Sequence, residues 1–393
     1  MKARILTRTI LLVSFVSLFT DIASEMLYPV MPVYLTSIGF SVMLIGILEG
    51  MAEAVAGLSK GYFGQSSDVL GRRVPFVRAG YMLSAFSKPM MAVLTWPWWI
   101  FLARTLDRLG KGIRTGARDA ILSDESTQEN KGKVFGFHRS MDTVGAAIGP
   151  VLALLFLWAY PGEYKLLFYM AFFPGLVAIG LTFFLKEKKT QASPGKIRPG
   201  LLSYLKYWKR SAISYRYLVA GLLIFTLFNS SDAFLLLAIK SKNISDTGMI
   251  GMYIFYNLVY ALASYPLGAL ADRIGLKTTL IAGLILFSGV YLCFGFATAI
   301  PGFLLLFFFY GIYAASTEGI SKALISNLAD RKDTATAIGF YTSFASVFSL
   351  LASSLAGVLW YTLGMKLMFV ISGSGVLVAA VYLLLVSGKI RQE

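Results

Sequence analysis

The chain has 393 residues, of which 57% are hydrophobic, 15% aromatic and only 14% charged. Soluble domains carry about a quarter charged residues, so this composition excludes an ordinary soluble globule and favours membrane-spanning helices. The net charge of +16 does not indicate nucleic-acid binding, because the cations concentrate in short loops between apolar runs. A single cysteine and a single histidine exclude a disulfide framework and an imidazole-rich metal site. We predict no metal and no cofactor.

Apolar runs of about 20 residues or more predict twelve membrane-spanning helices. They lie near residues 10–37, 41–63, 75–95, 97–120, 134–160, 165–186, 213–240, 248–270, 277–298, 301–326, 335–361 and 365–388. Lysine and arginine are concentrated in alternate loops, so the positive-inside rule places both termini in the cytoplasm. The sequence therefore predicts an all-α, multi-pass integral membrane protein.

The longest loop, from about Lys186 to Ser211, divides these spans into two sets of six. We predict an N-terminal six-helix bundle over residues 1–186, a cytoplasmic linker over 187–212 and a C-terminal six-helix bundle over 213–393. Residues 201–210 of the linker combine the apolar Leu201, Leu202, Leu205 and Trp208 with the basic Lys206, Lys209 and Arg210, which predicts a short amphipathic helix on the membrane surface. This helix would either anchor the linker or bind a partner.

A glycine-containing loop occurs once in each half. Gly64-Gln-Ser-Ser-Asp68-Val-Leu-Gly71-Arg72-Arg73 recurs 204 positions later as Gly268-Ala-Leu-Ala-Asp272-Arg273-Ile-Gly275-Leu-Lys277. Glycine permits a tight turn, and each aspartate can pair with neighbouring cations or with the N-terminus of another helix. A repeat at half the chain length predicts two pseudo-symmetric bundles.

Twelve spans, a central cytoplasmic loop and this duplicated loop resemble the major facilitator superfamily, and the resemblance covers the whole chain. The second copy is similar to the family pattern G-x-L-A-D-[RK]-x-G-[RK]-[RK], whereas the first copy has Ser67 and Val69 where the family has alanine and a cation. In that family the loop controls the change between inward-open and outward-open states. The resemblance therefore implies gating roles for Asp68, Gly71, Arg72, Arg73, Asp272, Arg273 and Gly275.

Two further patterns resemble those of proton-coupled members of the family. Arg108-Leu-Gly-Lys111-Gly112 is similar to R-x-x-q-G of the fourth helix, which is associated with proton coupling. The spacing G-x8-G-x3-G-P, associated with proton antiporters that export their substrates, is matched by Gly136, Gly145, Gly149 and Pro150. The Gly-Pro pair could instead kink the helix for packing. The stretch from Asp107 is also similar to bacterial efflux permeases, which implies the cytoplasmic (inner) membrane of a bacterium.

Ionisable side chains within the predicted spans are concentrated in the first half. Each costs about 2.5–3.5 kcal/mol at the bilayer centre and therefore requires a partner or water. The acids are Asp21, Glu25, Glu49, Glu53, Asp107, Asp119 and Asp142, and the bases are Lys88, Arg104, Arg108, Lys111, Arg114, Arg118 and Arg139. Because the two sets match in number, they favour a buried ion-pair network over a wall of unpaired cations that would bind an anion.

Within this network, helical spacing allows Asp107 to bridge Arg104 and Lys111. The family fold implies that Asp21 and Glu25 approach Arg104 and Arg108. We predict that the proton-coupling and cavity residues are Asp21, Glu25, Glu49, Glu53, Arg104, Asp107, Arg108, Lys111 and Asp142. Arg114, Arg118 and Asp119 lie nearer the cytoplasmic end and are predicted to act in gating. A static salt-bridge lattice is the alternative interpretation.

The second half has polar and aromatic side chains in place of this network. Tyrosine rings with polar tips suit an amphipathic organic ligand, and they also suit ordinary helix packing. The predicted substrate wall consists of Asn229, Asp232, Tyr256, Asn257, Tyr260, Tyr310, Tyr313, Glu318 and Tyr341.

These features predict a secondary active transporter that works by alternating access, as a proton-coupled exporter (antiporter) of a small amphipathic organic compound or drug. Export of a metal ion such as nickel, proton-coupled uptake of an organic anion, and a non-transporting membrane sensor are the alternatives. No nucleophile and base are suitably spaced for catalysis, so we predict no enzymatic activity. The expected partners are a small-molecule substrate, protons and the lipid bilayer, without nucleic acid, and we expect a monomer.

Overall fold

The structure is a computed structural model that describes residues 6–28, 30–40, 42–187, 200, 202–242, 244 and 246–388. Within these residues, all regular elements are helices. The α-helices are α1 (Arg8–Glu25), α2 (Met31–Ser37), α3 (Val42–Leu70), α4 (Val74–Val93), α5 (Pro97–Asp124), α6 (Lys131–Ala159), α7 (Tyr164–Thr182), α8 (Tyr207–Arg210), α9 (Ile213–Phe228), α10 (Ala233–Lys240), α11 (Asp246–Ile274), α12 (Leu276–Phe294), α13 (Ile300–Leu328), α14 (Thr334–Leu363) and α15 (Met365–Leu385). Short 3-10 helices cover Ser203–Lys206 and Arg331–Asp333.

The predicted all-helical membrane architecture is confirmed. Eight helical segments of the described chain are long and apolar enough to cross a membrane, and all of them begin at Lys131 or later. The helices before Lys131 contain most of the ionisable side chains discussed above, which lowers their mean hydropathy.

Two predicted spans are each divided into two helices. The first span, predicted over 10–37, breaks between α1 and α2, and the seventh, predicted over 213–240, breaks between α9 and α10. The first break contains Pro29 in the sequence, and proline lacks the amide donor that a continuing helix needs. The second break has the sequence Asn-Ser-Ser-Asp, whose side chains compete with the backbone for hydrogen bonds. There, the Oγ of Ser231 accepts a hydrogen bond from the Ala233 amide at 3.3 Å.

The described chain forms two compact units. Unit 1 comprises Met1–Ser126, Met141–Tyr207 and Asp330–Ser343, and unit 2 comprises Thr127–Ser140, Trp208–Ala329 and Phe344–Glu393. In unit 1, α5 packs against α3 and α4, and α7 packs against α1 and α4. In unit 2, α13 packs against α11 and α12, and α15 packs against α9 and α12. The division into bundles at the central linker stays a prediction.

The part of the linker that the structure describes packs into unit 1 through one aromatic side chain. Tyr204 is 2% exposed and lies so close to Gly61 of α3 that a Cβ there would be 2.4 Å from the tyrosine ring. Its hydroxyl lies 3.3 Å from the Oγ of Ser343 on α14. Leu202 and Leu205 remain exposed, as an amphipathic surface segment requires.

Candidate functional site

Asp107 on α5 is the centre of a buried ion network in unit 1. Its Oδ1 accepts a hydrogen bond from the Oγ of Ser84 at 2.5 Å and lies 3.6 Å from the Nζ of Lys88. Its Oδ2 lies 3.4 Å from the Nη1 of Arg104. Lys88 is 2% exposed, and its Nζ also donates to the carbonyl oxygen of Ser84 at 2.9 Å. The network therefore joins α4 to α5 through charge-assisted hydrogen bonds.

The predicted pairing of Asp107 is confirmed for Arg104 and wrong for Lys111. Within the described contacts, the second cation at Asp107 is Lys88 of the neighbouring helix. Ser84 and Lys88 lie one turn apart on the face of α4 that packs against α5, so both side chains reach the carboxylate of Asp107 from the neighbouring helix. Lys111 instead interacts electrostatically with Glu53 and Asp21.

Of the two predicted coupling acids on α3, Glu53 has a described side chain. The Oε1 of Glu53 lies 3.3 Å from the Nε of Arg108, and the glutamate side chain is 51% exposed. Glu49 also belongs to α3, but its side chain lies outside the described residues. The pair of Arg108 and Glu53 joins α3 to α5, the same two helices that pack closely in unit 1.

Asp21 on α1 lies among charges from two other helices. Asp142 of α6, Arg114 and Lys111 of α5, and Glu25 of α1 are its main electrostatic neighbours. We expected Asp21 to approach Arg104 and Arg108; its main cationic neighbours lie further along α5.

A second buried cluster lies near the predicted cytoplasmic end of α5. The Nη2 of Arg118 is 2.9 Å from the Oδ1 of Asp119, which is fully buried. The Nη1 of Arg118 donates to the Oγ of Ser17 at 3.2 Å, and this hydroxyl lies 2.9 Å from the hydroxyl of Tyr81. The guanidinium of Arg114 stacks over the ring of Tyr81 at 4.5 Å, a cation–π contact. The gating role of these three α5 residues stays a prediction.

In the first copy of the repeated loop, the buried Asp68 binds both a cation and a helix N-terminus. Its Oδ1 lies 2.8 Å from the Nη1 of Arg73, and its Oδ2 accepts hydrogen bonds from the amide and the Oγ1 of Thr336 at 2.6 and 2.7 Å. The carboxylate thus caps α14, where the helix dipole favours negative charge. Gly71 has a φ of 60°, and Arg72 is exposed. Arg73 also binds the Oδ2 of Asp124 at 2.8 Å.

The second copy caps a helix in the same way within unit 2. The Oδ1 of Asp272 accepts a hydrogen bond from the Gly132 amide at 2.8 Å, and its Oδ2 accepts one from the Lys133 amide at 2.9 Å. Both amides belong to the first turn of α6. Gly275 has a φ of 100°, which confirms the expected glycine turn. Arg273 is exposed. The prediction that each loop aspartate pairs with a cation or with a helix N-terminus is confirmed for both copies.

The small residues of the antiporter-like pattern let α6 approach its neighbours. A Cβ at Gly145 would lie 2.6 Å from the carbonyl oxygen of Leu18, and one at Gly149 would lie 2.8 Å from that of Ile22. Gly136 makes a similar close approach to α11 within unit 2. Pro150 lies inside α6. These contacts support a packing role for the glycines, and their role in antiport stays a prediction.

Unit 2 contains a cluster of tyrosine rings around the break between α9 and α10. The Oδ1 of Asp232 accepts a hydrogen bond from the hydroxyl of Tyr310 at 2.7 Å. The ring of Tyr310 lies 5.0 Å from that of Tyr256 and 5.2 Å from that of Tyr313, between ring centroids. The Nδ2 of Asn229 donates to the hydroxyl of Tyr313 at 3.3 Å. These predicted wall residues therefore form one site.

The remaining predicted wall residues lie in different surroundings. Glu318 forms an ion pair with Arg139, with 2.5 Å between Oε2 and Nη2, and Arg139 also binds Tyr260. Asn257 uses its amide group within α11, where it donates to the carbonyl oxygen of Tyr253 at 3.0 Å. Tyr341 belongs to unit 1, whereas the other wall residues belong to unit 2. The assignment of Tyr341 to the substrate wall stays a prediction.

Several neutral residues of these clusters were absent from the sequence prediction. In unit 1, Tyr81 and Ser84 share one face of α4 with Lys88, which was already a predicted base, at spacings of three and four. This polar stripe in an otherwise apolar span was a usable signal. In unit 2, Tyr291 and Phe287 of α12 stack at 4.1 Å and extend the tyrosine cluster. Their spacing of four is equally common in plain helix packing, so it carries little information.

Comparison with known proteins identifies relatives over nearly the whole chain. The family profile described as Major Facilitator Superfamily matches residues 13–256 and 233–392. An uncharacterized MFS-type transporter of Methanocaldococcus jannaschii is 35% identical over 365 residues, which are 91% of this chain and 89% of the relative. The multidrug resistance protein MdtH of Cronobacter sakazakii is 24% identical over 78% of this chain and 75% of its own.

Two solved structures share the fold. The crystal structure of the human organic anion transporter MFSD10 (TETRAN) has a TM-score of 0.78 and 18% identity, over 96% of this chain and 99% of its own. The E. coli fucose:proton symporter has a TM-score of 0.75 and 12% identity, over 97% of this chain and 99% of its own. At these identities the likeness concerns the fold. The family profile and the archaeal relative show that the chain belongs to the major facilitator superfamily.

Proposed function

We propose that this major facilitator superfamily transporter is a proton-coupled exporter of a small amphipathic organic compound, working by alternating access. The observation that carries the proposal is the ion network of Asp107, whose carboxylate is bound by Lys88 and Arg104 inside unit 1. Protonation would remove its attraction for both cations, which would then need new partners. Such a change can couple proton uptake to a rearrangement of helices.

The names of the relatives support parts of this proposal. MdtH is described as a multidrug resistance protein, which is consistent with export of organic compounds. The fucose symporter is described as proton-coupled. We assign proton coupling to Asp21, Glu25, Glu49 and Asp107 and gating to the two loop copies, and we place both termini in the cytoplasm of a bacterium, with a monomer in its inner membrane.

The test is transport in proteoliposomes that contain the purified full chain, an internal pH reporter and an imposed pH gradient. A panel of organic compounds would be screened for substrate-triggered proton movement. We expect protons to move opposite to substrate, and we expect Asp107→Asn to abolish this movement. Glu129→Gln, which changes an exposed acid outside the predicted site, is the control. Full coupling after separate neutralisation of Asp21, Glu25, Glu49 and Asp107 would contradict the proposal.

Uptake of an organic anion is the second candidate, and one residue favours it. Arg114 is 5% exposed, and its Nε and Nη1 have no hydrogen-bond partner among the described residues. A buried guanidinium of this kind suits a carboxylate or phosphate group. In the same proteoliposomes, parallel movement of protons and an organic anion would favour this candidate. Substrate flux without proton movement would exclude coupling in either direction.

A further inference from the structure

The break between α9 and α10 leaves unwound, polar backbone inside an otherwise apolar span. Residues 229–232 interrupt the segment Ile213–Lys240, which is long and apolar enough to cross a membrane. Unwound backbone at membrane depth is tolerated only where protein buries it or where it lines a cavity. The first span is interrupted at the corresponding place of its half, between the end of α1 at Glu25 and the start of α2 at Met31. Paired interruptions of this kind in the two halves of a transporter indicate where substrate binds.

Asp232 at this break has no cationic partner among the described residues. Within the described part of the chain, its carboxylate has one polar contact, the hydrogen bond from the hydroxyl of Tyr310 at 2.7 Å. The other acid near this cluster, Glu318, is paired with Arg139 at 2.5 Å. In unit 1, Asp107 is likewise held by two cations. A carboxylate in a membrane span requires a counter-charge, a proton or water, so the ionised form of Asp232 lacks one positive charge in its described surroundings.

The side chains around Asp232 offer acceptors and aromatic faces. Asn229 uses its Nδ2 on the hydroxyl of Tyr313, while its buried Oδ1 has no hydrogen-bond partner among the described residues. The rings of Tyr256 and Tyr313 flank that of Tyr310 at 5.0 and 5.2 Å. A carboxylate, a free amide oxygen and stacked tyrosine rings attract an organic cation by Coulomb, hydrogen-bond and cation–π interactions.

We propose that Asp232, Asn229 and the rings of Tyr256, Tyr310 and Tyr313 form the binding site for an organic monocation. The proposal rests on the proposed function and names its substrate class. The cation takes the position of the missing positive charge and lies against the tyrosine faces. The hydroxyl of Tyr310, which donates to Asp232, competes with the cation for the carboxylate.

The probe is tetraphenylphosphonium, a permanent monocation with aromatic rings, measured by equilibrium dialysis against the purified full chain in detergent. Tetraphenylborate, which has nearly the same shape and the opposite charge, controls for simple partition into apolar surfaces. We expect saturable binding of the phosphonium and none of the borate. Asp232→Asn should weaken phosphonium binding by about tenfold or more, whereas Asp232→Glu should retain it. Glu129→Gln is the matched acid control on the exposed surface.

Two substitutions at Tyr310 test the proposed cation site if both Asp232 variants fail to fold. Tyr310→Phe keeps the ring and removes the competing hydroxyl, so we expect phosphonium affinity to stay equal or to rise. Tyr310→Leu removes the aromatic face and should weaken binding several-fold. A merely structural hydroxyl would instead make Tyr310→Phe weaken binding as much as Tyr310→Leu, and that result would overturn the proposal.

Three further results would overturn the proposal: no saturable phosphonium binding by the wild-type chain, equal or tighter binding of the borate, or unchanged affinity in a folded Asp232→Asn variant. Because dialysis uses no gradient, these results leave the proposed proton coupling untouched. Conversely, phosphonium binding without any substrate-triggered proton movement in proteoliposomes would contradict the proposed coupling and support the cation site. The two proposals can therefore fail separately.

Discussion

At the scale of single residues, neutral hydroxyl groups lie at least as close as the cations to two of the buried carboxylates, Asp107 and Asp68. Asp107 is 2.5 Å from the Oγ of Ser84 but 3.6 Å from the Nζ of Lys88. The carboxylate of Asp68 accepts a hydrogen bond from the Oγ1 of Thr336 at 2.7 Å, and the guanidinium of Arg73 lies at about the same distance. Hydrogen bonds to a charged acceptor are stronger than neutral ones, so these hydroxyls stabilise the charged network without adding charge to the membrane interior.

The pair of Lys88 and Asp107 should show strong coupling in a double-mutant cycle. Asp107→Asn alone leaves the lysine without its counter-charge, and removing one member of a buried pair costs about 3–5 kcal/mol. The double variant Lys88→Met/Asp107→Asn should therefore be less destabilised than the sum of the single variants. The measurement is thermal unfolding of the purified proteins in detergent.

The matched control is the exposed pair of Lys332 and Asp330, whose charged atoms are 3.8 Å apart. Their side chains are 60% and 74% exposed, so the cycle of Lys332→Met and Asp330→Asn should give coupling near zero. If the effects of the Lys88 and Asp107 substitutions add to within about 0.5 kcal/mol, the buried pair does not act as a unit.

At the scale of helices, glycines determine how closely α6 packs in unit 1. Gly145 and Gly149 lie one turn apart and face the backbone of α1 at Leu18 and Ile22. Helices in membranes associate through such small residues because burial of apolar surface provides no driving force in lipid. The same approach brings Asp21 of α1 toward Asp142 of α6.

Gly145→Ala and Gly149→Ala should each destabilise the protein. The added methyl group would meet backbone atoms at 2.6–2.8 Å, and overpacking of this kind costs about 1–3 kcal/mol. Gly289→Ala, in the middle of α12 with no atom within 4 Å of its Cβ position, is the control. Alanine favours helix over glycine by up to about 1 kcal/mol, so its unfolding temperature should stay equal or rise. Equal losses at Gly145 and Gly289 would exclude the packing explanation.

At the scale of the whole molecule, each unit contains one helix N-terminus bound by a loop aspartate. In unit 1, Asp68 binds the start of α14, and in unit 2, Asp272 binds the start of α6. The two caps differ in their surroundings: Asp68 is 6% exposed and paired with Arg73, whereas Asp272 is partly exposed and binds backbone amides. The repeat in the sequence therefore corresponds to a repeated contact with unequal burial.

Asp68→Asn should consequently destabilise the protein more than Asp272→Asn. Loss of a carboxylate at a helix N-terminus costs about 0.3–1 kcal/mol where it is exposed. Loss of the buried partner of Arg73 adds the cost of an uncompensated charge and should bring the total to about 3 kcal/mol. Thermal unfolding of both variants beside the wild-type chain measures the difference. An equal or larger effect of Asp272→Asn would contradict this assignment of burial and charge.

The sequence by itself determined the membrane architecture and the family. The length of an apolar run depends only on local sequence, so the spans could be located by counting consecutive apolar residues. The repeat of the loop motif at half the chain length indicated two related halves. Helical spacing also identified the pair of Arg104 and Asp107, because both residues belong to one helix.

Only the tertiary structure decided the contacts between helices. It replaced Lys111 with Lys88 as the second cation at Asp107, and it divided the first and seventh spans. It also brought Asp232 among tyrosine rings with no cation beside it in the described part of the chain. Spacing along one helix predicts which side chains share a face. The residues that this face contacts depend on which helix packs against it and on the axial position at which the two helices meet.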